Sequence, residues 1–132
     1  MILEGLRHQQ GLKTLLIGRN GICSQGAYAV SDFLLQNNCL SELHIEQNLI
    51  SSPGLNSLLQ ALAIKNRSLK YLDFADNFVS VEVMHSLKSM LESNQVLKYL
   101  VVTDLHHFQI DAQKLICLSF KSNKGLRQVD LG

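Results

Sequence analysis

The sequence predicts an α/β solenoid: strand–turn–helix units repeated along the chain and stacked side by side. Three observations carry this. An apolar pattern of the form L-x-x-L-x-L recurs at a nearly constant step, its first leucines at Leu12, Leu40, Leu69, Leu97 and Leu126. An asparagine closes the first three copies, at Asn20, Asn48 and Asn77. A stretch with helical spacing follows each copy except the last. A constant period of this length marks stacked supersecondary units, none of which can bury its apolar face alone.

The second unit is the clearest. Leu40, Leu43 and Ile45 form the strand, Asn48 and Ile50 complete the turn, and Leu55, Leu58, Leu59 and Leu62 give the helix. The first unit reads Leu12, Leu15, Ile17, Asn20, Ile22, and the third reads Leu69, Leu72, Phe74, Asn77, Val79. The fourth reads Leu97, Leu100, Val102 and departs, with Leu105 in the asparagine position and His107 in the next apolar one. Thr103 to Ile110 should be an irregular loop. The fifth reads Leu126, Val129, Leu131.

These residues resemble the leucine-rich repeat family. The step between first leucines alternates between two lengths that differ by a single residue, which is similar to the ribonuclease-inhibitor subclass. Asn in place of Cys at the ninth position resembles intracellular members: NOD-like receptors, Ran GTPase-activating protein and tropomodulin. The resemblance runs from Leu12 to Leu131. It implies a right-handed β-α superhelix with a parallel concave sheet and outer helices. It says little about function, because the repeated residues are the structural ones.

The elements follow in order. Ile2, Leu3 and Leu6 sit at helical spacing, and Gly11 precedes the first strand as a helix-ending glycine would. The spacing predicts helices over about Gln25–Gln36, Pro53–Lys65, Val81–Ser93 and Asp111–Lys121. Ser24, Ser52 and Ser80 are the expected N-caps, and Pro53 suits the first helical position because it lacks an N–H. Ala27, Val30, Phe33 and Leu34 face inward in the first helix, Leu115 and Leu118 in the fourth. The asparagines should form a ladder of hydrogen bonds between neighbouring turns, since a carboxamide both donates and accepts.

Residues 1–132 are thus expected to form one leucine-rich repeat domain of about four repeats and a partial fifth. The chain enters and leaves in mid-repeat without the polar caps of a solenoid. It reads as a piece of a longer solenoid, a short isoform, or a protein whose ends a partner covers; end-to-end association is a further expectation.

Composition narrows the function classes. The chain is 46% hydrophobic and 17% charged, with one proline, no tryptophan and a net charge of +1. That balance gives no general attraction to nucleic acid or membrane. No apolar run reaches the length of a membrane span, and MILEGLRHQQ lacks the apolar core of a signal peptide. Cys23, Cys39 and Cys117 are an odd number in unlike repeat positions, which points to reduced thiols and a cytoplasmic setting. They fall where turns or helices pack, so burial explains them as well as reactivity does. Asn66-Arg67-Ser68 is a glycosylation acceptor, but an asparagine ending a helix before a polar turn explains it better.

Function is expected on the outward strand positions, because side chains alternate faces along a strand. The first column is Thr14, Glu42, Tyr71, Tyr99, Gln128; the second is Leu16, His44, Asp73, Val101, Asp130; the third is Gly18, Glu46, Ala75, Thr103, Gly132. Tyr71 and Tyr99 should stand side by side, as aromatics in a binding hot spot do. Leu16, Glu42, His44, Glu46, Tyr71, Asp73, Tyr99 and Val101 are therefore the expected partner-binding residues. Lys13, Lys70, Lys98 and Arg127 form a basic column beside them, best read as a solvated rim. No Cys-x-x-Cys, HExxH or phosphate-loop spacing occurs, so no metal, cofactor or catalytic group is expected. The reading is a protein-binding module. Its alternative, by resemblance to Ran GTPase-activating protein, is an accessory role on a small GTPase; Arg19, Asp76 and Asp104 lie at the strand-to-turn edge where that family carries such residues, but they are not assigned to a site.

Overall fold

The computed structural model describes residues 5–6, 9–103 and 107–132 of the chain. Ile2, Leu3, Asp104, Leu105 and His106 lie outside the described residues. The elements are β1 (Thr14–Leu16), α1 (Ser24–Gln36), β2 (Glu42–His44), α2 (Ser52–Ile64), β3 (Tyr71–Asp73), α3 (Val81–Ser93), β4 (Tyr99–Val101), α4 (Ile110–Ser122) and β5 (Gln128–Asp130). The five strands form one sheet in sequence order, every pair parallel. Each parallel pair needs a crossover, and here each crossover carries one of these helices. The fold is an α/β leucine-rich repeat solenoid.

The strands are three residues long because only the x-L-x centre of L-x-x-L-x-L lies extended. Leu43, Leu72 and Leu100 point into the core, as do Ile45, Phe74 and Val102 just beyond them. From the other side come Phe33 and Leu34 of α1, Leu58, Leu59 and Leu62 of α2, and Met84, Leu87, Met90 and Leu91 of α3. Each such side chain contributes about 1.5–3 kcal/mol by leaving water. The helices all cover one face, so the other face of the sheet stays open. Most parallel sheets are covered on both sides; this one is left with a row of accessible side chains.

Two asparagine ladders tie the repeats together. In the first, Asn48 Oδ1 accepts the Asn20 and Ile22 N–H groups, and its Nδ2 donates to Ile17 and Ile45 carbonyls. Asn77 Nδ2 donates to Ile45 and Phe74, and its Oδ1 accepts Ile50 N–H. Asn20 is exposed and reaches only Gly18 O with its Nδ2. The second ladder stands where the helices end. Asn37, Asn66, Asn94 and Asn123 are buried, each three residues before a repeat's first leucine. Asn66 Nδ2 donates to Leu34 O and Asn37 O at 2.9 and 3.1 Å, while its Oδ1 accepts the Ser68 and Leu69 N–H groups. Asn94 and Asn123 repeat this pattern one and two units on.

Several expectations change. Asn66 is only 3% exposed and its Nδ2 is committed to two carbonyls, so the folded chain has no room for a glycan there. Leu118 is 64% exposed and Leu115 half-buried; Ile116 and Ser119 face inward instead. The register with the preceding helices, fixed by Asn94 and Asn123, places Ile116 in the position that Leu87 holds one repeat earlier. The helices begin at Ser24 and Ser52, so Cys23 and Ser51 are the N-caps of α1 and α2. Ser80 is the N-cap of α3 as expected, and the serine hydroxyls bond across repeats, Ser24 with Ser51 and Ser52 with Ser80. Cys23 and Cys117 are exposed and Cys39 is half-buried, because they fall on turns and on the outer face of α4.

Candidate functional site

The open face of the sheet is built by register. Thr14, Glu42, Tyr71, Tyr99 and Gln128 are successive partners, as are Leu16, His44, Asp73, Val101 and Asp130. The backbone ladder continues past the strand ends, from Arg19 N to Glu46 O and from Gln47 N to Ala75 O. The third column is less open than the first two. Ala75 is buried, and the Glu46 carboxylate lies across Gly18, in the place a Cβ would take.

At the centre three rings form a row. His44 stacks on Tyr71 with centroids 4.6 Å apart, and Tyr71 stands 6.3 Å from Tyr99 at a tilt of 34°. Glu42 Oε2 lies 3.8 Å from His44 Nε2. Glu46 and Asp73 flank the histidine, and one ligand atom from each of the three lies within 4.8 Å of the others. Leu16 is 68% exposed on β1 as the register partner of His44, and Val101 lies between Asp73 and Asp130.

The electrostatics of this face are negative. Burial raises the Asp73 carboxyl above its usual range, with Glu46 adding to the effect and the Ala75 N–H and His44 opposing it. Burial also raises the Tyr71 hydroxyl, and the charges of Asp73, Glu46, Glu42 and Asp130 push it further. The basic column sits beside this face: Lys13, Ser41, Lys70, Lys98 and Arg127 follow one another in register.

A segment of leiomodin-1 termed actin-binding site 2 superposes on 92% of this chain and 69% of its own, with a TM-score of 0.77 and 19% identity. At that identity the likeness is one of fold. The human NACHT, LRR and PYD domains-containing protein 13 is 28% identical over 102 residues, 77% of this chain. Mouse ribonuclease inhibitor is 28% identical over 87 residues, 66% of this chain. The fold is a leucine-rich repeat solenoid similar to the ribonuclease-inhibitor kind. No family model matches it. The matched parts span 10% and 19% of those two relatives' own lengths.

Within this leucine-rich repeat solenoid the sequence reading missed two features. The helix-end asparagines recur at Asn37, Asn66, Asn94 and Asn123, and the same period that exposes the leucines exposes them. The cluster of His44, Glu46 and Asp73 was not expected, since metal and catalytic sites were sought as local motifs. Its members belong to two neighbouring repeats, with His44 and Asp73 one full period apart along the chain. Only the sheet register brings them together. Asp76 is engaged at the turn: it accepts bonds from Gln47 Nε2 and Thr103 Oγ1. Among the described residues no helix is long and apolar enough to cross a membrane.

Proposed function

We propose that this chain is a non-enzymatic protein-binding module that holds its partner on the concave sheet face. The observation that carries this is the row of His44, Tyr71 and Tyr99, flanked by acidic groups and left uncovered by the helices. Aromatic side chains ringed by polar ones supply large contact area at little entropic cost, and such residues dominate interface energetics. Glu42, Glu46, Asp73 and Asp130 favour a basic partner segment, which opposite charge would steer onto the face. The fold offers a rigid extended surface, which suits protein recognition. The names of ribonuclease inhibitor and of the leiomodin segment, an actin-binding site, also concern binding to proteins. An intracellular setting accords with the three unpaired thiols.

The test is a pull-down from cell lysate with the wild type and a Tyr71→Ala, Asp73→Ala, Tyr99→Ala variant as baits, circular dichroism confirming that both fold. A protein held by the first and lost by the second supports the concave site. Equal retention by both overturns it. An accessory role on a small GTPase has less support, because Asp76 is taken up by Gln47 and Thr103. Acceleration of GTP hydrolysis by this chain would restore that reading.

A further inference from the structure

We propose that His44, Glu46 and Asp73 bind one divalent transition-metal ion of the zinc class on the concave face. The three side chains come from adjacent repeats and project from the same face. His44 and Asp73 are direct register partners, and Glu46 follows His44 by two residues. Their ligand atoms already lie within 4.8 Å of one another. A tetrahedral ion with ligands near 2.1 Å needs them about 3.4 Å apart, so rotations of the side chains suffice to close the site.

The surroundings point the same way. Glu46 Oε2 is shut off from solvent and accepts no hydrogen bond. A buried carboxylate oxygen in that state calls for a proton or a cation. Among the described residues no lysine or arginine pairs with Glu46 or Asp73, although the two acids are close neighbours. Glu46 reaches this position because Gly18 leaves its place empty; any Cβ there would collide with the carboxylate. The imidazole stacks on Tyr71, and the Glu42 carboxylate lies 3.8 Å from its Nε2, beyond hydrogen-bond reach.

The donor set selects the metal. One imidazole nitrogen with two carboxylates is a zinc-type set, whereas magnesium prefers oxygen donors alone in octahedral geometry. Three protein ligands leave one position for water.

The experiment is calorimetric titration of the reduced, metal-free 132-residue chain with zinc chloride, with magnesium chloride as control. We expect one saturable zinc site and none for magnesium. Asp73→Asn, which preserves shape, and His44→Ala should each weaken zinc binding more than about tenfold, since even outer-sphere changes cost that much. A Cys23→Ser, Cys39→Ser, Cys117→Ser variant should keep the site, and zinc should shift the imidazole NMR signals of His44. Binding that survives both His44→Ala and Asp73→Asn, or that vanishes with the cysteines, overturns the proposal. So does the absence of saturation below about 100 μM, a concentration at which a built site gains several kcal/mol. The metal alone is the probe, so the outcome does not depend on whether the partner reading holds.

Discussion

Asn66 shows how much one side chain does in this chain. Its carboxamide satisfies two carbonyls of the preceding helix end and two N–H groups of its own turn. Asn66→Ala leaves buried backbone groups unpaired and should cost about 3 kcal/mol, a loss read directly in urea unfolding. Asn20→Ala should stay within about 0.5 kcal/mol, because Asn20 is exposed and reaches only Gly18 O. Equal costs for the two would refute the ladder as a source of stability. Asp73 makes a pH prediction. Its folded carboxyl is raised above 3.8, so the folded state prefers the protonated form. Its contribution is fully present below the unfolded value and is lost as pH rises through the folded one. In chelator-treated buffer, the stability of Asp73→Asn relative to wild type should therefore grow as pH rises from about 3.8 upward. A difference independent of pH would mean that burial does not strain this carboxylate. At this scale the first asparagine ladder could be read from sequence because its members close the leucine motif. The chemistry of Asp73 could not, because it depends on Glu46 and His44 in the neighbouring repeat.

Among the elements, α4 departs most from the repeat. Its inward positions are Ile116 and Ser119, whereas α3 buries Val83, Met84, Leu87, Met90 and Leu91. The sequence reading assigned Leu115 and Leu118 to the core, since leucines at i, i+3 make a plausible face on an isolated helix. The phase of a helix in a solenoid is set elsewhere, here by Asn123 docking on the carbonyls of Leu91 and Asn94. Once Asn123 is fixed, Leu118 must point to solvent. Ile116→Ala should cost about 2–5 kcal/mol, the usual range for a fully buried aliphatic. Leu118→Gln should be within about 0.5 kcal/mol of wild type. Chemical denaturation of the two variants decides the phase, and a reversed order would mean that α4 is rotated. The strands were easier to read, because a period of two leaves a single choice of face and the inward positions pair in register, Leu15, Leu43, Leu72, Leu100 and Val129.

The whole molecule behaves as a stack in which each repeat touches its neighbours. The period alone specified it, since a unit of near-constant length that recurs from Leu12 to Leu126 has one way to bury its leucines together. The concave site was only half legible. Its columns follow from the period, but the meeting of His44, Glu46 and Asp73 needs side-chain directions that no spacing rule contains. Stacking also distributes stability unevenly. Leu43, Ile45, Leu72 and Phe74 are fully buried between two neighbours, while Leu15, Ile17 and Val129, with a neighbour on one side, are only partly so. In a quasi-one-dimensional array, stability is the sum of repeat and interface contributions, so the outer units open first. Hydrogen exchange on this chain should find the slowest amides in β2 and β3 and the fastest ladder amides in β1 and β5. The three rings sit on the middle strands: His44 on β2, Tyr71 on β3 and Tyr99 on β4. A partner or metal bound there would then protect the central strands further while β1 and β5 kept their rates. Uniform exchange across all five strands would show a single cooperative unit, and the concave face would owe its rigidity to the whole solenoid instead of to its middle.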